Sequence, residues 1–329
     1  MKFLIIRFSS IGDIVLTTPV VRCLKQQVEG AEIHYLTKRS FKEIIESNPY
    51  ISKVHLLADN LNGLIDDLKK ENFDYIIDLH NNLRTLKVKR ALKGIPSFSF
   101  NKLNIEKWLL TAVKINVMPK VHIVDRYLAT VKTFGVKNDG KGLDYFILEK
   151  DIVPDNDIPA AQSLGYIGIV IGAALNTKKL PIHKLKELCK KVDHPIILLG
   201  GPEDQEAGNE IASVDPVKIY NSCGKFSLNE SADLVRRAKL IITHDTGLMH
   251  IAAAFKKPVL SIWGNTVPSF GMTPYYGKIM VANDLFEING LWCRPCSKIG
   301  YNKCPLGHFK CMENQNISEI AKTVEESIK

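Results

Sequence analysis

The sequence predicts an α/β fold made of two β/α domains that face each other across a cleft. The chain has 329 residues, which is enough for two domains. Strand and helix patterns alternate in both halves, as is typical of parallel sheets covered by helices. Between the halves, residues 136–160 are rich in Asp, Gly and Pro and lack a helical period, so we interpret them as a linker. The predicted domains are 1–150 and 160–315. A helix predicted over 316–329 follows them and is a candidate for crossing back to the first domain.

In the first half, short apolar runs predict buried parallel strands at 3–8, 32–37, 53–57 and 74–80. The intervening segments have apolar residues at helical spacing. They predict helices at 13–28, 41–48 and 61–71, then two more, the later one over 122–135.

The second half repeats the alternation. Strands are predicted at 166–172, 195–201, 218–222, 239–244 and 257–264. Helices are predicted at 181–192, 203–213, 227–238, 247–255 and about 317–328. Pro181 suits a first helical turn, and Ser227 with Glu230 three residues later predicts a capping box.

Composition places the chain among ordinary globular proteins, with 45% hydrophobic and 24% charged residues. The apolar runs are strand-sized, and the N-terminus lacks a signal-peptide pattern, so we expect a cytoplasmic protein. The net charge of +9 is concentrated, because residues 84–120 contain nine Lys or Arg and one acid, Glu106. This basic segment predicts attraction to an anionic membrane surface or a phosphorylated substrate, ahead of nucleic acid, unless it is only a solvated helix face.

Candidate functional residues follow two of the predicted strands. The first predicted strand leads into Ser9, Ser10, Gly12 and Asp13, where the single glycine argues against a dinucleotide fingerprint. Later, "HDTGLMH" places Asp245, Thr246 and Gly247 between a strand and a helix, where free N–H groups favour a phosphate. His250 lies on the same helix face as Thr246. Helix capping by Asp13, Asp245 or Thr246 and a core role for His250 are the structural alternatives.

Four stretches together resemble one enzyme family. They are "IRFSSIGDIVLTTPVV", "DLHNNLRT", "HIVDRYL" and "HDTGLMHIAAAFKKPVLSIWGNT". They are similar to the ADP-heptose:lipopolysaccharide heptosyltransferases of glycosyltransferase family 9. The resemblance implies the GT-B fold, with two Rossmann-like domains, acceptor-binding and then nucleotide-sugar-binding. It implies inverting, metal-independent transfer from an ADP-sugar to a phosphorylated lipid-linked saccharide, without a cofactor, at the inner face of the cytoplasmic membrane.

The resemblance also implies roles for individual residues. Asp13 stands where the family has its general base, and Lys178, with Lys179 as second choice, where a lysine contacts the diphosphate. On the donor side we expect Thr177, Asn229, Asp245, Thr246, Gly247 and His250. On the acceptor side we expect Ser9, Ser10, Gly12, His80, Asn81 and Arg84. Two lysines in a solvated loop are the alternative for Lys178 and Lys179.

Some features depart from the family or stay open. Asn229 occupies the position of a ribose-binding glutamate, with Glu230 one residue away, and "GNTVP" replaces the usual loop, so the exact nucleotide and sugar are not fixed. Cys293, Cys296, Cys304 and Cys311 have a C-x2-C-x7-C-x6-C spacing that allows reduced structural thiols, a structural metal or disulfides. A sugar-nucleotide epimerase and a non-catalytic sugar-nucleotide binder remain alternatives to a transferase.

Overall fold

The computed structural model describes residues 1–58 and 60–328 and confirms the predicted α/β class. Within these residues the chain forms two compact units. The first comprises Met1–Lys102, Val121–Phe146 and Tyr275–Ile279, and the second Leu103–Lys120, Ile147–Pro274 and Met280–Lys329. No helix in the described part of the chain combines the length and hydropathy needed to span a membrane.

Each unit contains one parallel sheet. The first unit has strands β1 (Lys2–Ile6), β2 (Glu32–Lys38), β3 (Lys53–Leu57), β4 (Tyr75–Asp78) and β5 (Ser97–Ser99). The second has β6 (Ile167–Val170), β7 (Ile196–Leu199), β8 (Ile219–Asn221), β9 (Leu240–His244), β10 (Val259–Trp263) and β11 (Asn283–Glu287). Among the described residues the strand orders are β3-β2-β1-β4-β5 and β11-β10-β9-β6-β7-β8. In both sheets the chain therefore builds outward in one direction and then returns to the centre to build in the other.

The α-helices connect these strands. In chain order they are α1 (Ile11–Val15), α2 (Thr18–Gln27), α3 (Leu61–Lys70), α4 (Leu83–Ala91), α5 (Asn104–Trp108), α6 (Ile123–Leu128), α7 (Ala160–Ser163), α8 (Ile182–Lys191), α9 (Gln205–Ala212), α10 (Leu228–Arg237), α11 (Gly247–Ala254), α12 (Lys310–Glu313) and α13 (Ile317–Ser327). A π-helical turn at Leu109–Val113 extends α5. Short 3-10 helices lie at Arg39–Ile44, Ala129–Phe134, Glu149–Asp151, Asp155–Asp157, Asn176–Lys178, Pro202–Asp204 and Pro268–Phe270.

The buried strands are apolar because helices cover the sheets. In β1, Phe3, Leu4, Ile5 and Ile6 are all fully buried, as expected for a central parallel strand. The core of the second unit includes Ile167, Leu198 and Ile242 from its sheet and Leu188 from α8. It also takes in Ile320 and Val324 of α13, which packs against α8. The terminal helix α13 thus packs against α8 in the second unit.

Several local predictions differ from the structure. The single helix expected over 13–28 is two helices, because Pro19 has no N–H and the Thr18 hydroxyl donates to the Val15 carbonyl instead, at 2.7 Å. The helix expected at 41–48 is a 3-10 helix at Arg39–Ile44. Strands β5 and β11 were missed because they are edge strands of low burial without an apolar run.

Residues 103–120 belong to the second unit, whereas the sequence suggested the first. Lys114 explains part of this grouping, since its Nζ donates to the carbonyls of Cys293 (3.2 Å) and Pro295 (2.6 Å). Lys298 in turn donates to the carbonyl of Asn104. Such contacts between distant segments leave no local pattern in the sequence.

Candidate functional site

Asp13 lies at the carboxyl end of β1, in the first turn of α1. Its Oδ1 is 2.7 Å from Nη2 of Arg7, and its Oδ2 accepts hydrogen bonds from the hydroxyl (2.8 Å) and the backbone N–H (3.3 Å) of Ser10. The contact with the Ser10 N–H is the helix-capping role that the sequence left open. The carboxylate side chain nevertheless keeps 20% of its surface exposed. It is therefore fixed in position and accessible at the same time.

Arg7 organises this corner of the first unit. Its guanidinium donates to the carbonyls of Ser9 (2.8 Å) and Leu79 (2.6 Å) and to the Tyr127 hydroxyl (2.8 Å). Burial opposes the charge of Arg7, but the attraction of Asp13 outweighs it and raises the pKa of Arg7 above its ordinary value. Sequence reasoning missed Arg7 and Tyr127. An arginine directly after a fully apolar strand was the available signal for Arg7.

The end of β4 lies beside the end of β1 and contributes a second set of predicted residues. The buried Asp78 accepts the N–H groups of His80 (3.1 Å) and Asn81 (2.7 Å) at Oδ1, and its Oδ2 is 2.9 Å from Nζ of Lys89. Burial, together with the nearby cations Arg7 and Lys102, lowers the pKa of His80 to about 4. His80 is therefore neutral near pH 7. Asp78 was missed, although an aspartate at a strand end is a recognisable signal.

A basic pocket opens at the carboxyl ends of β2 and β3. Its volume is about 940 Å³, and its lining includes the cations Lys38, Arg39, Arg84 and Lys87. Arg84 is the member that the sequence assigned to the acceptor side. The other three come from a strand end, the 3-10 helix after it and α4, so their convergence depends on the fold.

In the second unit, Lys178 and Asp245 form an ion pair. Lys178 ends the 3-10 helix that follows β6, and Asp245 directly follows β9. The Lys178 Nζ is 2.6 Å from Oδ2 of Asp245, and the Thr266 hydroxyl donates to the same oxygen at 3.0 Å. The structure thus brings together two residues that the sequence placed on the donor side, and adds Thr266, which was missed.

The neighbouring Lys179 has a different partner. Its Nζ is 2.7 Å from Oδ1 of the buried Asp204, whose Oδ2 accepts the N–H of Gly201. The backbone at Gly172 packs closely against the Asp204 carboxylate. A Cβ added at Gly172 would lie 2.2 Å from Oδ2 of Asp204. Lys179 therefore belongs to a packed structural pair, while Lys178 is bound to a residue at the helix start.

Helix α11 presents its N-terminus next to this ion pair. Thr246 is the N-cap residue, but its side chain makes no capping bond and its Oγ1 lies 3.1 Å from Oγ1 of Thr243 instead. Gly247 begins the helix without a side chain over the first N–H groups. A helix start of this kind, with a lysine beside it, is suited to a phosphate group.

Other predicted donor residues have structural surroundings. Thr177 is buried and exchanges hydrogen bonds with the backbone of Tyr301, and Asn229 is buried and donates to Asp151 at 3.1 Å. Glu230 completes the predicted capping box with Ser227. His250 is buried within α11. The hydrogen bonds and ion pairs therefore join Lys178 to Asp245 but give Asn229 and Thr177 other partners.

One group in the described residues brings metal-ligating side chains close together. His34, His55 and Glu71 hold their ligand atoms within 4.8 Å of one another. The two rings bond each other at 2.9 Å, and Glu71 is paired with Lys53, so this group is satisfied without an ion. In the cysteine segment, Cys293 and Cys311 are buried and Cys296 and Cys304 half-buried, and none of the four is in a disulfide.

Both candidate clusters occupy equivalent places in their sheets. Asp13 and His80 follow β1 and β4, the neighbouring strands at which the first sheet reverses its building direction. Lys178 and Asp245 follow β6 and β9, which are the corresponding pair in the second sheet. Ligands of open α/β sheets bind at such switch points, so each cluster is a candidate substrate site.

Comparison with known proteins identifies the family. A sequence profile described as Glycosyltransferase family 9 (heptosyltransferase) matches residues 62–301. Lipopolysaccharide heptosyltransferase 1 of Campylobacter coli is 26% identical over 294 residues, covering 82% of this chain and 85% of that protein.

Solved structures agree in fold. The structure of E. coli ADP-heptose lps heptosyltransferase II matches with a TM-score of 0.74 at 19% identity, covering 100% of this chain and 98% of that one. E. coli heptosyltransferase WaaC with ADP matches with a TM-score of 0.71 at 20% identity, covering 99% and 100%. The fold is therefore the predicted GT-B class. With the profile matching most of its length, the chain belongs to glycosyltransferase family 9, the heptosyltransferases, and is a glycosyltransferase.

Proposed function

We propose that this glycosyltransferase moves a heptose from ADP-heptose to the saccharide core of a lipopolysaccharide precursor, with inversion at the anomeric carbon and without a metal ion. Family membership and the relatives' names support the sugar and the acceptor class. Asp13 is the observation that supports the chemistry, because it is an accessible carboxylate held on both oxygens at a sheet switch point.

The proposed reaction is a single displacement. Asp13 removes the proton from the acceptor hydroxyl as that oxygen bonds to the anomeric carbon, and the bond from this carbon to the diphosphate oxygen breaks. Arg7 holds the carboxylate in place at 2.7 Å, and Ser10 orients its other oxygen. The neutral His80 lies nearby as a polar group that can contact the acceptor without adding a charge.

The leaving diphosphate gains charge as the bond breaks, so the donor side requires positive groups. Lys178 and the N–H groups at the start of α11 supply them. In the structure the Lys178 ammonium is held by Asp245. A bound diphosphate would compete with Asp245 for that ammonium, which keeps Lys178 close to the phosphate position before the donor arrives.

The acceptor side is basic, in keeping with a phosphorylated or otherwise anionic saccharide lipid. The pocket formed by Lys38, Arg39, Arg84 and Lys87 provides four cations within the first unit. We propose that it receives the anionic groups of the acceptor. We also propose that the enzyme works as a peripheral protein at the inner face of the cytoplasmic membrane.

Transfer assays test this function directly. The enzyme is incubated with ADP-heptose and a heptose-free lipid A–core acceptor, and the product is identified by mass spectrometry, with its anomeric configuration read by NMR. We expect one added heptose with inverted configuration, in the presence of a chelator as well as in its absence. UDP- and GDP-sugars serve as controls. Transfer from these donors alone, retention of configuration, or epimerised donor without transfer would contradict the proposal.

A further inference from the structure

Two surface segments of the second unit expose many large apolar side chains. The first runs from α5 through the π-helical turn to residue 117, and the second lies in the connection between β11 and α12. Soluble proteins rarely expose contiguous apolar patches, and a larger one marks contact with a membrane or with another protein. The exposed members are Ile105, Trp108, Val113, Ile115, Val117, Trp292, Ile299 and Tyr301.

Three hydrogen bonds hold the two segments side by side. The Lys114 Nζ donates to the carbonyls of Cys293 and Pro295, at 3.2 and 2.6 Å. The Lys298 Nζ donates to the carbonyl of Asn104 at 3.4 Å. The exposed apolar residues lie next to these bonds or within a few residues of them in sequence. They therefore form one surface, which we call the apolar surface.

The first segment is packed onto the second unit, so its exposed side chains belong to a fixed structure. Leu103 and Leu110 are buried, at either end of α5. Between them, the Lys107 Nζ lies 6.0 Å from the centre of the Phe270 ring. These contacts anchor one side of the segment, while Trp108 is on the exposed side.

The charges around the apolar surface favour one kind of partner. Residues 103–121 contain three lysines and one acid, and residues 292–311 contain four basic residues and no acid. A second copy of this chain would bring the same positive charge to the contact, which is repulsive, whereas anionic lipid headgroups attract it. The exposed cations are Lys114, Lys120, Lys298, Lys303 and Lys310.

We propose that the apolar surface inserts into the interface of an anionic phospholipid bilayer. Trp108 and Trp292 enter at the level of the headgroups, where tryptophan rings are favoured in membrane proteins. The surrounding lysines contact the lipid phosphates. Interfacial binding of this kind combines buried apolar area with attraction to anionic lipid and needs no spanning helix.

The apolar surface lies at the same edge of the second sheet as the candidate donor site. The Tyr301 backbone exchanges hydrogen bonds with Thr177, which follows β6. The Cys296 N–H donates to the carbonyl of Asn265, which follows β10, at 3.2 Å. Insertion would therefore hold this edge, and a bound donor, close to the bilayer. That role rests on the proposed function, in which the acceptor is lipid-linked, whereas insertion itself does not.

Insertion gives membrane binding a component that salt does not remove. At about 1 M salt, charges are screened within about 3 Å, whereas the gain from burying apolar surface persists. Attraction by surface cations alone would be lost under these conditions. Resistance to salt therefore separates insertion from simple electrostatic adsorption.

Vesicle sedimentation at about 1 M salt is the primary test. With phosphatidylglycerol vesicles we expect the parent to stay bound and Trp108→Asn/Trp292→Asn to bind at least about tenfold more weakly. The matched control is Leu164→Asn/Val217→Asn, which removes two apolar side chains, 93% and 76% exposed, before β6 and β8. This control should bind like the parent. Equal loss in both variants, or release of the parent by salt, would overturn the proposal.

Tryptophan fluorescence tests insertion in the unaltered chain. Of its three tryptophans, Trp108 and Trp292 are 55% and 75% exposed, and Trp263 is 1% exposed. Vesicles with brominated acyl chains quench the tryptophans that reach them. We expect quenching of the parent and none in Trp108→Phe/Trp292→Phe, which keeps only the buried Trp263. An unquenched parent, or equal quenching in this variant, would overturn the proposal.

Two further outcomes separate the alternatives. Sedimentation velocity without lipid should give the same oligomeric state for the parent and for Trp108→Asn/Trp292→Asn. A parent dimer that dissociates in this variant, with no vesicle binding, would assign the surface to self-association and overturn the proposal. Vesicle insertion without heptose transfer would leave the surface standing while refuting the proposed function. Transfer to a detergent-dispersed acceptor by a protein that does not bind vesicles would do the reverse.

Discussion

Asp13 is held by two donors that differ in strength and burial. Arg7 is buried and charged, so its bond to Oδ1 is a fixed support, whereas the exposed Ser10 hydroxyl bonds Oδ2 and can yield to a substrate. The acceptor hydroxyl is therefore expected to approach Oδ2. At the scale of single residues, the proposed mechanism therefore assigns the proton transfer to Asp13 and only an orienting role to Arg7 and Ser10.

We expect Asp13→Asn to lower kcat by about 10²–10⁴-fold, because an amide cannot take the acceptor proton. The affinity for ADP should stay near the parent value, since the donor-side residues are unchanged. Calorimetric ADP titration confirms that the variant is folded, and Ser10→Ala, which removes a single hydrogen bond, should lose far less activity. Parent-like turnover by Asp13→Asn would show that the carboxylate is only a helix cap.

Lys178 and Lys179 form a matched pair for testing the donor site. Lys178→Ala should weaken ADP binding by about tenfold or more, because a charge-assisted contact contributes roughly 1.5–3 kcal/mol. Lys179→Ala should affect ADP less but lower the melting temperature more, since it leaves the buried carboxylate of Asp204 unpaired. Calorimetry and thermal unfolding measure the two effects. Equal losses of ADP affinity would contradict the distinction.

At the scale of secondary-structure elements, His244 links the end of β9 to the loop that carries Lys178. Its Nε2 accepts the N–H of Leu180 at 2.9 Å. Burial, and then the nearby charge of Lys179, lowers the pKa of His244 to about 3. The acceptor role requires the neutral ring, so protonation would break this link between the strand and the loop.

This shift predicts loss of stability in acid. The folded pKa is below the unfolded one, so the unfolded chain binds more protons as the pH falls below about 6.5. The stabilising contribution is therefore full above that pH and declines toward pH 3, by at most about 1.4 kcal/mol per pH unit for one proton. Denaturant unfolding between pH 5 and 7 should show a flatter pH dependence for His244→Asn than for the parent. An unchanged slope would mean that other groups dominate.

Elements with strong local patterns were predictable from the sequence, and those defined by partners were not. Apolar runs such as that of β1 identify buried strands, and the Ser227–Glu230 pair identifies a helix start. The edge strand β5 was missed because it is defined by pairing with β4 and not by an apolar run. The break before α2 was missed because it depends on a single proline, Pro19, which lacks an N–H. Likewise Asp13, Lys178 and Asp245 follow from motifs, whereas Arg7, Thr266 and the Lys38–Arg39–Arg84–Lys87 pocket exist only after distant segments meet.

At the scale of the whole molecule, the basic segment 84–120 is divided between the two units. In the first unit, α4 exposes Lys87 and Arg90, with Lys93 exposed just beyond its end, and Leu83 is 79% exposed. In the second unit, Ile105 and Trp108 of α5 are 73% and 55% exposed. Lys89 differs from the other basic residues, because it pairs with the buried Asp78 and is part of the structure rather than of the free surface.

Each exposed cation near an anionic bilayer contributes about 1 kcal/mol, so Lys87→Gln/Arg90→Gln/Lys93→Gln should weaken vesicle binding by about a hundredfold. Lys89 is left intact, since its loss would strand the Asp78 carboxylate. Sedimentation with phosphatidylglycerol vesicles measures the effect, which should shrink as salt rises. A control with Lys190, Lys191 and Lys322, exposed elsewhere, changed to Gln should bind like the parent. Equal loss in both variants, or no binding by the parent, would contradict a specific membrane surface.

In the proposed function the acceptor-side and donor-side residues belong to different units, and this has a consequence for the order of substrate binding. Asp13 with its supports lies wholly in the first unit, and Lys178 with Asp245 wholly in the second. The contacts around Asp13 are complete without a ligand in the second unit, and those of Lys178 and Asp245 are complete without a ligand in the first. Either substrate should therefore be able to bind first. We therefore expect random-order sequential kinetics, with ADP competitive against the donor and noncompetitive against the acceptor. A compulsory order, seen as uncompetitive inhibition by a dead-end acceptor analogue against the donor, would mean that one substrate builds the site of the other.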